Sequence, residues 1–202
     1  MSLRNKAIAL VIIILIIDQV LKIWIKTNMV IGQESPLFGS WGFIYFIENN
    51  GMAFGMEMGG KVGKLLLSLF RIVAIAGIGW FLNSLIVKKV NTGLILAISA
   101  IFAGAIGNMI DSAFYGMIFS ESFSQPAIMF PPGGGYSSFL HGRVVDMFYF
   151  PIINTQWPDW LPIKAGEPFV FFRPVFNIAD SAITCGVLSI LMFQKKMLKD
   201  LN

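Results

Sequence analysis

A bundle of four membrane-spanning α-helices carrying a small extracytoplasmic β-sheet, built as one integral membrane domain, is the fold this 202-residue chain predicts. Three observations carry that prediction. Hydrophobic residues make up 56% of the sequence and charged residues only 13%, with a mean hydropathy of +0.74, which excludes an ordinary soluble domain. Four apolar runs, at residues 7–25, 65–87, 93–115 and 175–194, approach or exceed the ~20 residues needed to cross a hydrocarbon core. Between them lie two β-branched and aromatic stretches, Trp41-Gly-Phe-Ile-Tyr-Phe-Ile47 and Gly142-Arg-Val-Val-Asp-Met-Phe-Tyr-Phe150, with the composition of strands.

The first run follows Arg4 and Lys6, as a secretory signal would, but it ends in Asp18-Gln19 without a small-residue cleavage pattern and continues through Trp24. It reads as a retained helix. The outer segment 27–63 holds the first strand and a glycine-rich turn, with Lys61 and Lys64 ahead of the second helix. Lys88 and Lys89 separate the second and third helices, and Lys195, Lys196 and Lys199 follow the fourth. Together with Arg4 and Lys6 these form the larger basic set on one side and outweigh Lys61 and Lys64 on the other, so both termini are expected in the cytoplasm. Topology therefore accounts for the net charge of +4, and no nucleic-acid partner is implied. The second outer segment, 116–174, is interrupted by Pro126, Pro131, Pro132 and Gly133-Gly-Gly135. Those breakers predict mobile stretches at 113–140 and 151–173, with a lid or recognition role as the alternative. The strands are expected to pair into a sheet on the outer surface, and Trp157 and Trp160 suit an interfacial belt. The single cysteine, Cys185, offers neither disulfide nor metal framework and is expected to pack as a small apolar residue. His141, the only histidine, reads as a loop residue, and no metal or other cofactor is expected.

Each helix carries a polar cluster near its outer end: Asp18 and Lys22, Arg71, Asn108 and Asp111, Asn177 and Asp180. Counted at about 1.5 Å per residue from the cytoplasmic side, they lie about 18 to 29 Å into a core about 30 Å thick. Asp18 and Lys22 are spaced i,i+4, and the pairs Asn108/Asp111 and Asn177/Asp180 i,i+3, so each pair shares a helix face. Ionisable groups at such depth are costly unless paired or facing a wet cavity. Four clusters at one level predict one site. Gly104 and Gly107 would let a neighbouring helix come close.

Asp18-Gln-Val-Leu-Lys22, Glu48-Asn49-Asn50-Gly51-Met52-Ala53-Phe54-Gly55, Gly107-Asn108-Met-Ile-Asp111, Val144-Val145-Asp146 and Phe176-Asn177-Ile-Ala-Asp180 resemble, in this order, the motif set of lipoprotein signal peptidase. This is signal peptidase II, an aspartyl protease of the bacterial cytoplasmic membrane. The resemblance spans nearly the whole chain. It implies hydrolysis of the peptide bond before a diacylglyceryl-modified cysteine in prolipoproteins, with membrane lipids at the site and the peptide antibiotic globomycin as an inhibitor. It further implies that Asp146 and Asp180 are catalytic, that Asp18, Lys22, Asn49, Asn108, Asp111 and Asn177 support them, and that the outer sheet is a β-cradle.

Amide hydrolysis needs an activated water and a proton for the leaving nitrogen, and two close carboxylates sharing one proton supply both. The three asparagines are expected to orient the aspartates or hold backbone amides, Asp18 and Lys22 to stabilise the loop carrying Asn49, and Gly51 to permit a turn. One departure stands out. Most family members have arginine directly after the aspartate of the Gly-Asn-x-x-Asp motif, where this chain has Ser112. Arg143, three residues before Asp146, is the preferred replacement, with Arg71 as the other candidate and snorkelling toward headgroups as its alternative role. A proton-coupled transporter or channel is the rival reading, but it would spread charges through the membrane depth. A non-enzymatic lipid-binding scaffold is a third.

Overall fold

The computed structural model describes residues 1–39, 41–51, 60–160, 166–171, 174–197 and 199. Met52 to Gly55 of the second motif and parts of the 151–173 segment lie outside the described residues. Among the described residues, four helices are long and apolar enough to cross a membrane. They are α1 (Leu3–Asn28), α2 (Gly60–Val87), α3 (Thr92–Ile110) with its continuation, and α5 (Ile178–Met197). Both α1 and α2 run past the apolar segments that predict them, because Arg4, Lys6, Lys26 and Lys61 are good helix formers at ends where charge is tolerated. The α3 helix passes into a π-helical turn at Asp111–Tyr115 and closes with the short α4 (Gly116–Ile118).

The α3 helix is the central one, packed against α1, α2 and α5. Its glycines explain the closeness: a Cβ on Gly104 would lie 2.3 Å from the Ala179 carbonyl oxygen of α5, and one on Gly107 2.8 Å from Asp18 Oδ2 of α1. Gly186 of α5 does the same in return, facing the Ala97 carbonyl at 2.7 Å. Small residues thus let backbones touch where lipid supplies no hydrophobic drive. The outward faces carry Phe70, Val73, Trp80, Leu191 and Met192 exposed, as lipid-facing surfaces require. Cys185 belongs to that exposed surface; it is not the packing residue expected, because Ala182 and Gly186 occupy the buried side of its helix.

Strands β1 (Glu34–Phe38), β2 (Gly42–Asn49), β3 (Val144–Tyr149) and β6 (Val175–Phe176) form an antiparallel sheet in the order β1-β2-β3-β6. Both expected strands are present and paired. Val175 and Phe176 correct the expected helix start: they end the sheet, and the helix begins only after Asn177. A separate hairpin joins β4 (Ile153–Gln156) to β5 (Pro168–Phe171). Beneath the main sheet, Ile25, Met29, Phe46, Tyr115, Phe119, Val145 and Met147 form one apolar core.

The segment expected to be mobile before β3 is instead docked. Ile31 N–H donates to Ser122 O, Ala127 N–H to Lys26 O, Tyr136 N–H to Phe119 O and Gly142 N–H to Ser112 O, all within 3.0 Å. Its prolines and glycines break the chain into short turns whose backbone groups find partners on α1 and the end of α3.

Substituting Gly104 by Val should therefore force α3 and α5 apart and destabilise the fold by about 1–3 kcal/mol, the usual range for overpacking. Gly77, whose added Cβ would meet nothing within 4 Å, serves as the control: Gly77→Ala should not lower the unfolding temperature in detergent. Equal melting of the two variants would contradict the close α3/α5 packing.

Candidate active site

Lys22 is fully buried on α1, and its ammonium has three hydrogens to place. It places them on Asp18 Oδ2, Asp111 Oδ2 and Asn108 Oδ1, each at 2.9 Å. The i,i+4 spacing brings Asp18 alongside, while the π-helical turn at the end of α3 carries Asp111 inward to full burial. Gln19 completes the layer: its Nε2 donates to Asp111 Oδ1 at 3.0 Å and Asp18 Oδ2 at 3.1 Å, and its Oε1 accepts from the Tyr115 hydroxyl at 3.1 Å. Asp111 Oδ2 also accepts from the Val145 amide of β3 at 3.2 Å. Helices α1 and α3 are so tied to the sheet.

The N-terminus of α5 is built by Asn177-Ile-Ala-Asp180. Asn177 Oδ1 accepts from the Asp180 amide at 2.9 Å, and Asp180 Oδ2 accepts from the Asn177 amide at 3.3 Å, a reciprocal capping arrangement. Asp18 Oδ1 takes the intervening Ala179 amide at 2.9 Å. Three amides at the helix start are thereby satisfied, two of them by carboxylates that suit the positive end of the helix.

The side chain of Asn177 then links the two acids. Its Nδ2 donates to Asp146 Oδ1 at 2.7 Å and lies 3.0 Å from Asn108 Oδ1. Asn108 Nδ2 in turn donates to Asp180 Oδ1 at 2.7 Å. Asn49 reaches the remaining oxygen of Asp146, Oδ2. The register makes this possible: Asn49 pairs with Val144, and Asp146 is its diagonal neighbour on the same face of β3. Burial, and after it the negative charge of Asp180, push the Asp146 carboxyl up to about 8, against the opposing influence of Lys22 and of the Asn177 hydrogen bond. Two carboxylates, one nearly buried on the sheet and one at a helix start, are thus presented together on a frame of amides.

The sequence-selected residues divide into three groups. Asp18, Lys22, Asn49, Asn108, Asp111, Asn177, Asp146 and Asp180 are brought together as described. Asp18 and Lys22, however, do not touch the loop of Asn49; they join α1 to α3 and α5, because α1 packs against those helices. The loop is held by α2 instead. Lys64 Nζ donates to Asn50 O at 2.8 Å and Arg71 Nη2 to Gly51 O at 2.6 Å. Gly51 has φ +88°, and a Cβ there would lie 2.6 Å from Arg71 Nη1, so the turn needs glycine on both counts.

Arg71, the other candidate, stands beside Ser112: its Nη1 donates to Ser112 Oγ at 3.2 Å. It turns inward and does not snorkel. Arg143, the preferred candidate, points elsewhere, to Glu48 and Glu121. Sequence reading passed over Gln19, Lys64 and Lys26. Lys26 continues the face of Asp18 and Lys22 by one more i,i+4 step, and Lys64, Ser68 and Arg71 share a face at i,i+4,i+7, so periodicity could have found both sets.

A family model described as signal peptidase (SPase) II matches residues 10–195. A lipoprotein signal peptidase of Porphyromonas gingivalis is 54% identical over 185 residues, covering 91% of this chain and 80% of that protein. One from Amoebophilus asiaticus is 37% identical over 191 residues, covering 93% and 76%. Among solved structures, a bacterial membrane enzyme determined by the in meso method at 1.9 Å resolution superposes with a TM-score of 0.62 at 27% identity, covering 95% of this chain and 94% of that one.

Removing one partner from a buried charge cluster leaves the others unpaired, which costs about 3–5 kcal/mol. Lys22→Met should accordingly lower the detergent unfolding temperature sharply, and adding Asp18→Asn and Asp111→Asn should restore most of the loss. A single variant as stable as the parent would show that the ammonium does not hold the helices.

Proposed function

The chain belongs to the signal peptidase II family, an aspartic-type signal peptidase of multi-pass bacterial membrane architecture acting on prolipoproteins, and we propose that it cleaves directly before the diacylglyceryl-modified cysteine with Asp146 and Asp180 as the catalytic pair. The observation that carries this reading is the shared asparagine: one Asn177 is hydrogen-bonded to both carboxylates, from its side chain and from its backbone.

In the proposed reaction the pair holds one proton at neutral pH, and that proton resides on Asp146, whose carboxyl is raised to about 8. Asp180 acts as the base and takes a proton from a water as the water oxygen attacks the scissile carbonyl carbon, while Asp146 donates a hydrogen bond to the carbonyl oxygen. The tetrahedral intermediate collapses as the leaving nitrogen receives the proton held by Asp180. Asn108, Asn177 and Asn49 orient the two acids throughout. Arg71 is assigned the charge-stabilising role. Its guanidinium is held by two neutral acceptors, Gly51 O and Ser112 Oγ, and among the described residues it has no ion pair, so its charge is available to the developing oxyanion.

We also propose that both termini are cytoplasmic and that the dyad lies near the outer leaflet, where the acyl chains of the substrate and surrounding lipids deliver the scissile bond. Globomycin would compete there with the substrate. The transporter reading is disfavoured by the position of the polar layer: the opposite end of the bundle is packed by Ala7, Leu82, Leu85, Leu94 and Ile95.

Cleavage of a diacylated prolipoprotein by purified protein should be abolished in Asp146→Asn and in Asp180→Asn, and Arg71→Ala should lose about 10²- to 10³-fold in kcat, as for loss of one oxyanion donor. Parental turnover in either Asp variant would rule out the dyad. The sign of the pH effect follows from a raised acid. Protonated Asp146 is present below its folded value and lost above it, so kcat should fall as pH rises through about 8, whereas the contribution of this carboxyl to stability is full below about 4, declines as pH rises from there to about 8 and changes no further above that. Orientation is checked separately, in a Cys185→Ser background, by impermeant thiol labelling of cysteines placed at Ser2 and Ser138; labelling of both from one side would refute the topology.

A further inference from the structure

Behind the site lies a second group of buried charges that the proposed reaction does not use. Lys26 of α1 and Glu48 of β2 form an ion pair with side-chain exposures of 0% and 1%. Arg143 approaches the other oxygen of Glu48, Nε to Oε2 at 2.9 Å, a charge contact whose alignment is poor for a hydrogen bond. Its Nη2 reaches Glu121 at the rim, where that side chain is 48% exposed. Lys26 also donates to Ser122 Oγ at 3.0 Å. Tyr136 stands between the two cations, with its ring 4.9 Å from Lys26 Nζ and 4.3 Å from Arg143 Cζ, and its hydroxyl accepts the Arg143 amide at 2.7 Å.

Position along β2 gives this group its meaning. Successive strand residues point to opposite faces, so Glu48 turns toward α1 while Asn49 turns toward Asp146. A slip of one residue would exchange the two faces and take the amide off the aspartate. Only a short stretch of ladder, three residue pairs long, opposes that slip. Pairing of β2 with β3 is irregular between Ile44 and Ile47, so the register of Ile47, Glu48 and Asn49 against Asp146, Val145 and Val144 is set within that end and is not inherited from the Phe43–Ile44 pairs. Buried ionic groups are poor stabilisers, and their best-attested use is to specify register.

We propose that Glu48 is a positioning residue for the hydrolysis, and that its clamp between Lys26 and Arg143 fixes the register of β2 so that Asn49 donates to Asp146. This rests on the reading of Asp146 and Asp180 as the catalytic pair. Loss of the clamp weakens one donor to Asp146. That donor favours the ionised carboxyl, so its loss moves the alkaline limb of the kcat profile to higher pH. Asp180, Lys22, Asp111 and Arg71 also act on Asp146, and the substitutions below leave all four in place.

The test pairs two variants with Asp146→Asn as a control. Lys26→Met/Glu48→Leu replaces the buried pair by apolar groups of similar size, which is commonly neutral or stabilising. It should melt no lower than the parent, keep KM within about twofold and lose about tenfold or more in kcat, in line with the cost of a small misplacement of reacting groups, with the alkaline limb moved upward. A folded double variant with parental kcat, or with reduced kcat and an unmoved limb, overturns the proposal. If the double variant does not fold, Arg143→Gln decides, since it removes one arm from a position only 19% exposed yet near the rim. A kcat lower by about threefold with a raised limb supports the clamp, and an unmoved limb refutes it. Retained turnover in Asp146→Asn would instead defeat the dyad reading itself, a distinguishable failure.

Discussion

The Lys22 ammonium is the contact on which the remaining architecture depends. Placed where an unpaired charge is prohibitively costly, it finds three acceptors on α1 and α3, and every one of those acceptors leads onward. Asp18 caps α5 through the Ala179 amide, Asp111 holds the Val145 amide of β3, and Asn108 carries Asp180 and meets Asn177. A single buried cation thereby ties two other helices and the sheet to α1. The cost of leaving any of these groups unpaired in a lipid-like interior is what makes the arrangement specific.

Such a frame constrains the chemistry it surrounds. Carboxylates held only by cations would be driven toward full ionisation, and two fully ionised acids cannot share a proton. Amide groups resolve that conflict. Three asparagines contact the two carboxylates of the proposed pair directly, so Asp146 and Asp180 are oriented by neutral donors while the lysine sits one contact away. The raised position of Asp146 follows from its burial and from Asp180, and the distance of the fixed cation allows it to persist.

Close backbone contact is the complementary requirement. Gly104 and Gly107 bring α3 against α5 and α1 within the reach of short side chains such as Asp18 and Asn108. The π-helical turn then rotates the end of α3 so that Asp111 faces Lys22 while Ser112 faces Arg71 of α2. An ordinary continuation of the helix would not place neighbouring residues on those two partners so readily.

Much of this was written in the sequence by itself. Apolar length set the four spans, and helical period put Asp18 with Lys22, Asn108 with Asp111, and Asn177 with Asp180 on common faces, because both are properties of local geometry. Motif order then grouped them into one site. The tertiary structure alone decided which groups meet across elements. Arg71 and not Arg143 stands beside Ser112, since a long flexible cation goes to whatever acceptor packing brings near, and Glu48 was nearer to Arg143. Asp18 serves α5 and not the Asn49 loop, Cys185 faces outward, and the proline- and glycine-rich segment after α4 is docked, for the same reason. Periodicity states which face a residue occupies; only the packing of helices and sheet states what that face meets.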